Sequence, residues 1–278
     1  MTAIPIVLCA DDYGLSPAVD GGIATLAQCG RLTAVSCLAV LPRWPHAALQ
    51  LAGLSGRIDI GLHFALTEFA PLGPMPRLAP HGTFPALSGF GQAAATRRLD
   101  HAEIATEFSR QFDAFVAATG RTPDFVDGHH HVHQFPVVRD VVAEHLRALD
   151  PPVWVRNTAT TPWRLAKRRV ALPRATFLAA LGVAGRRAWR RAGLPTNADF
   201  AGVRDFDERA PYETLFRRFL VDARPGLLVM CHPGGAEAGS DDGQSRAGEL
   251  HYLRGARFMD DLAAAGCRLA RFTDAARR

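Results

Sequence analysis

The sequence predicts an α/β protein with a parallel sheet, either closed into a β/α barrel or left open and doubly wound. Two observations predict it. Apolar runs of strand length alternate with segments of helical period along the 278 residues. Four of these runs also end in residues that bind metals or move protons: Ile4 to Ala10 in Asp11-Asp12, Ile58 to Leu62 in His63, Phe125-Val126 in Asp127 to His133, and Gly226 to Cys231 in His232. The carboxyl ends of parallel strands share one rim, so all these side chains are expected on one working face.

In chain order, Ile4 to Ala10 reads as a buried strand followed by a turn at Asp11 to Leu15. Ser16-Pro17 supplies a cap and a proline at the first helical position, and the helix runs to about Cys29, stopped by Gly30. A second strand is expected from Thr33 to Leu41, then a short helix around Pro45 to Leu51. Residues 70–98 are rich in proline and glycine without clear period and read as a long loop. Gly89 to Ala94 matches a dinucleotide fingerprint in letters only, because no apolar strand precedes it. Asp100 and Glu103 resemble a capping box for a helix in which Ile104, Phe108, Phe112 and Phe115 recur at helical spacing before Gly120. Pro136 opens another helix, and Val153 to Val155 is a strand. Residues 158–200 break the rhythm. Pro211 opens a helix through Leu220; after His232 come a loop rich in glycine and acidic residues, a helix from about Arg246 to Ala265, and a strand from Arg268 to Phe272. The whole, 1–278, is expected as one domain with a basic insertion at about 158–200.

Composition excludes several classes. The formal charge of +5 comes almost wholly from arginine, Lys167 being the only lysine, and the basic residues cluster between Arg156 and Arg191. No nucleic-acid module is recognisable. Schiff-base chemistry would fall to Lys167, which lies in a basic run with no apolar pocket to lower its pKa. Five scattered cysteines support neither a disulfide framework nor a zinc knuckle, so a reducing cytoplasm is expected. No signal peptide is visible at the N-terminus, and no run reaches the roughly 18 to 20 apolar residues of a membrane span.

Four imidazoles within His129 to His133 are poor core material and good metal ligands. A mononuclear metal hydrolase needs about three protein ligands and an open position, which one aspartate and two histidines provide. Adjacent Asp11 and Asp12 point in different directions, so one can ligate while the other serves as general base; His232, from the far side of the rim, is placed as general acid. Taken singly, the aspartates could merely cap a turn, and His63 and His232 could be ordinary strand-end or turn residues. Their coincidence at strand ends favours an enzyme. His46, His81, His101, His145 and His251 have no comparable context and read as structural or surface residues.

The motifs Ala10-Asp11-Asp12-Tyr13-Gly14-Leu15-Ser16, Gly61-Leu62-His63-Phe64-Ala65-Leu66-Thr67, Asp127-Gly128-His129-His130-His131-Val132-His133 and His232-Pro233-Gly234 resemble, in order and over most of the chain, those of the YdjC-type (ChbG/HpnK) carbohydrate deacetylases. Tyr13 replaces the usual phenylalanine and Gly128 a common serine. The resemblance implies a distorted β/α barrel and one divalent ion, Mg2+ or Zn2+, removing acetyl from an N-acetylated amino sugar. By position it implies Asp12, His63 and His129 as metal ligands, with His133 as the substitute for His129, Asp11 as base and His232 as acid. Rival readings are hydrolysis of a glycosidic or phosphoester bond at the same metal, and a non-catalytic metal- or sugar-binding protein.

Residues 158–200 match no motif. Arg164, Lys167, Arg168, Arg169 and Arg174 precede the apolar run Phe177 to Leu181, and Arg186, Arg187, Arg190 and Arg191 follow it around Trp189. Such a stretch suits peripheral contact with an anionic membrane and a lipid-linked amino sugar such as a glycosylated hopanoid. A solvated lid, or a subunit contact in a homodimer, are the plainer readings.

Overall fold

A computed structural model describes residues 3–205, 210–236 and 242–276. The chain forms β1 (Ile4–Tyr13), α1 (Pro17–Gln28), β2 (Ala34–Cys37), α2 (Trp44–Leu51), β3 (Asp59–Phe64), α3 (Leu87–Ala95), α4 (His101–Thr119) and β4 (Phe125–Gly128). After a 3-10 turn at His129–Gln134 come α5 (Val138–Leu146), β5 (Trp154–Val155), α6 (Pro162–Arg168), α7 (Leu172–Arg191) and β6 (Asp199–Ala201). The last part is α8 (Tyr212–Phe219), β7 (Leu227–Cys231), α9 (Gly243–Arg254), α10 (Ala256–Ala264), β8 (Cys267–Leu269) and α11 (Phe272–Ala276).

All strand pairs are parallel, in the order β5-β4-β3-β2-β1-β7-β6, with β8 against the start of β1. Between the edge strands the described residues show only the bridge Val155↔Thr196, so the sheet curls into an incompletely closed barrel. The expected distorted barrel is the observed one.

Strand periodicity sorts the side chains. On β1, Ile6, Leu8 and Ala10 pack in the main core, while Val7 and Cys9 belong to a second cluster with Phe125, Trp154, Phe200, Leu228, Met230 and Phe272. Trp154 stacks on Phe125 and Phe272 within that cluster. Continuing the same parity brings Asp11 after Cys9, Asp127 after Phe125 and His232 after Met230. The second cluster is thus apolar at its base and polar at the strands' carboxyl ends.

Several local expectations hold. Ser16 Oγ accepts from Val19 N–H at the start of α1, Asp100 caps α4 through Glu103 N–H, and Gly120 ends α4 at φ 69°. Others need correction. β1 extends through the expected turn to Tyr13, with a bulge against β2 between Ala10 and Tyr13. Residues 70–98 are not all loop: they contain α3, which also absorbs the discounted glycine-rich match. Residues 158–200 hold two helices and the start of a strand that completes the sheet, and the single C-terminal helix is two, divided at Gly255. Part of the expected glycine- and acid-rich loop, 237–241, lies outside the described residues.

Candidate active site

At the bulge in β1, Asp12 adopts φ 67°. A bulge beside a left-handed residue re-aims a side chain that regular alternation would turn towards the helices, and adjacent Asp11 and Asp12 both line the same cavity. Both are 2% exposed. Asp12 Oδ1 lies 3.0 Å from His129 Nδ1 and 3.4 Å from His63 Nε2, while Oδ2 accepts from Arg246 Nη2 at 2.7 Å. One ligand atom from each of Asp12, His63 and His129 lies within 4.8 Å of the others.

The opposite edge of each imidazole is tied to a further carboxylate. His63 Nδ1 donates to Asp127 Oδ1 at 2.6 Å, and Ser36 Oγ donates to the same oxygen. His129 Nε2 faces Glu68 Oε2 at 3.3 Å. A carboxylate behind an imidazole fixes its tautomer and leaves the other nitrogen for an ion. Here both of those other nitrogens point at Asp12.

Electrostatics agree with a cation site. Burial alone would lower the His63 pKa, but Asp127 and Asp12 push it up to about 10; His129 is also raised, by Asp12 and Glu68 acting against burial. Burial alone would raise Asp12, yet hydrogen bonds from His129 and His63 and the charge of Arg246 hold it well below the carboxylate range. The donor set and its field therefore fit a divalent ion.

Asp11 stands apart from that triad. Arg156, fully buried at the end of β5, donates from Nη1 to Asp11 Oδ2 at 2.6 Å and from Nη2 to Oδ1 at 2.5 Å, and reaches Asp127 Oδ2 at 2.5 Å. His232 lines the cavity after β7; its backbone N–H donates to Glu249 Oε2 at 2.7 Å. Burial pushes the His232 imidazole below its usual value, against the pull of Asp12, Asp11 and Glu249, making its protonated form a readier donor.

The structure thus brings Asp11, Asp12, His63, His129 and His232 to one cavity. It does not bring His133 there. That ring is buried, stacks on Trp189 at 5.7 Å and meets the Arg156 carbonyl at 2.9 Å through Nε2, because the left-handed residues His130 and His131 turn the chain away. Sequence reasoning missed Ser36, Glu68, Asp127, Arg156, Arg246 and Glu249 as partners. Arg156 was findable: it follows an apolar strand just as His63 and His232 do.

Fold and site together define a parallel β/α-barrel protein with a carboxylate–imidazole centre at its carboxyl rim. The chain belongs to the YdjC-like protein family, whose model matches residues 5–264. It is 30% identical over 276 residues to a chitooligosaccharide deacetylase of Klebsiella pneumoniae strain 342, covering 97% of this chain and 98% of that one. A chitooligosaccharide deacetylase of Proteus mirabilis is 35% identical over 150 residues, covering 54% of this chain and 58% of the relative, so that match spans little over half of either protein. In structure the chain is similar to a protein named for cellobiose-phosphate cleavage from Enterococcus faecalis V583, with TM-score 0.77, 19% identity and coverage of 98% and 99%. That likeness concerns the fold.

Proposed function

We propose that this chain is a metal-dependent N-deacetylase of acetylated amino sugars, releasing acetate and a free amine. The observation that carries the reading is the Asp12–His63–His129 cluster beside, but separate from, the Asp11–Arg156 pair. A divalent ion, Mg2+ or Zn2+, held by Asp12, His63 and His129 would supply a polarised acetamide carbonyl and a more acidic water. Asp11 then removes the water proton, Arg156 keeps that carboxylate in place, and His232 delivers a proton to the sugar nitrogen as the C–N bond breaks. The names and near full-length alignment of the Klebsiella relative support the acetyl-amide bond over glycosidic or phosphoester cleavage.

The same reading takes residues 158–200 as part of one domain. Among the described residues no helix is long and apolar enough to cross a membrane. Exposed Lys167, Arg169, Arg187, Arg190 and Arg191, beside exposed Trp163 and Phe177, support a peripheral contact with an anionic surface from the cytoplasm, whereas Arg168 and Arg186 are used inside the fold on Asp199, Asn157, Ala159 and Ala198. Liposome co-sedimentation unchanged by Arg187→Glu with Arg190→Glu would remove that contact from the reading. For the activity, the test is acetate release from a panel of N-acetylated saccharides by protein stripped of metal and reloaded with Mg2+, Zn2+ or nothing. Metal-dependent release supports the assignment; none from folded, loaded protein across the panel overturns it.

A further inference from the structure

The general acid stands where the sheet stops holding the chain. The ladder between β1 and β7 ends at Ala10↔Cys231 and that between β6 and β7 at Ala201↔Val229, so His232 lies one position beyond the register. Its backbone N–H donates instead to Glu249 Oε2 at 2.7 Å. Pro233 has no N–H. Gly234 N–H donates to the Arg246 carbonyl at 3.2 Å, and Gly235 N–H to the Ala18 carbonyl at 2.9 Å. Two of these three bonds run to α9, which therefore takes over the segment that β7 releases.

The same turn of α9 holds a candidate metal ligand. Arg246 and Glu249 are three positions apart, hence on one helical face, and both are buried. Arg246 Nη2 donates to Asp12 Oδ2 at 2.7 Å, and its Nε donates to Asp242 Oδ2 at 2.5 Å. Glu249 Oε1 accepts from Arg204 Nε at 2.8 Å, and that guanidinium lies over the Tyr212 ring. A buried ion pair adds little stability over apolar packing of the same volume. What this one supplies is a fixed carboxylate, with one oxygen anchored by Arg204 and the other turned to His232.

We infer that Glu249 is a positioning residue for the general acid: by holding the His232 backbone it sets where that imidazole stands relative to the centre at Asp12. The inference rests on the deacetylase reading, in which the sugar nitrogen takes a proton from His232 as the C–N bond breaks, so that a neutral amine leaves. Glu249→Gln isolates the role. Arg204 and the His232 N–H each need an acceptor, and an amide has a single oxygen. The charged donor Arg204 binds it more strongly, which turns the amide NH2 group against the His232 N–H.

The test compares the metal-loaded parent, Glu249→Gln and, as calibration, His232→Asn on two substrates. One is the member of the saccharide panel that the parent deacetylates fastest, starting from N,N′-diacetylchitobiose, whose amine needs a proton to leave. The other is 4-nitrophenyl acetate, whose nitrophenolate leaves without one. Glu249→Gln is expected to lose about 10- to 100-fold in kcat on the amide, the scale of a displacement of about 1 Å, and less than about threefold on the ester. KM for the amide and calorimetric metal affinity are expected to stay unchanged. Equal losses on both substrates overturn the inference, because a loosened fold or a disturbed base acts on both. Unchanged amide turnover overturns it as well. Glu249→Asp, which keeps the charge but withdraws the carboxylate by one methylene, is the second variant and is expected to show the same selective loss. Failure of both variants to fold makes Glu249 a structural residue and overturns the positioning role. Absence of amide turnover by the parent across the panel is a different failure: it overturns the deacetylase reading and, with it, the acid that Glu249 holds.

Discussion

His63 and Asp127 are register partners on neighbouring parallel strands, and the imidazole Nδ1 of one donates to the carboxylate of the other at 2.6 Å. The sheet ladder itself therefore sets the orientation of a candidate metal ligand. Asp127 also accepts from Ser36 on β2 and pairs with Arg156 after β5, so strands on both sides fix it.

Asp127→Asn should lower affinity for the ion by about 10- to 100-fold, because an amide orients the imidazole less strongly and adds no basicity. Metal titration monitored calorimetrically measures it; affinity equal to that of the parent would show that His63 needs no such support.

Asp11→Asn should retain the ion and lose about 10²- to 10⁴-fold in kcat. Asp12, His63 and His129 remain, and Arg156 keeps its pairing with Asp127. If metal content falls together with turnover, Asp11 is a ligand and the division of labour is wrong.

Asp59 gives a pH dependence remote from the site. Its carboxylate accepts from Phe272 N–H, Thr273 N–H and Thr273 Oγ at the start of α11, and burial, opposed by those hydrogen bonds, raises its pKa to about 6. A carboxyl raised above its unfolded value of about 3.9 favours the fold while protonated, so stability from this group is full below pH ~4 and is lost as pH rises through ~6. Asp59→Asn, which keeps an acceptor without the charge, should flatten that part of a plot of Tm against pH. Identical slopes for the two proteins would remove Asp59 as the cause.

Gly182→Ala tests whether α7 is docked or a loose lid. A Cβ there would lie 2.2 Å from Ala159 N and 2.6 Å from the Thr158 carbonyl carbon. Overpacking of this kind typically costs about 1–3 kcal/mol, so Tm should fall clearly. An unchanged Tm would mean that the helix moves away freely, contrary to its packing through Trp189 on His133.

The sequence alone determined the parallel α/β class and most strand positions, and it marked Asp11, Asp12, His63, His232 and the stretch His129 to His133 as candidates, because apolar runs and the polar residues closing them are local signals. Helix α3 was hidden because Leu87 to Ala95 carries two glycines, which disfavour a helix interior, and has no side-chain cap at its start. The role of Arg156 was hidden because its carboxylate partners Asp11 and Asp127 are 145 and 29 positions away and meet it only when the sheet curls. Tertiary structure alone decided that His129 and not His133 faces Asp12: two left-handed residues redirect the chain between them, and no residue pattern announces that turn. It likewise joined α3 and α7, with 76 residues between Ala95 and Leu172, into one apolar wall, since helical faces find their common cavity only through the barrel between them.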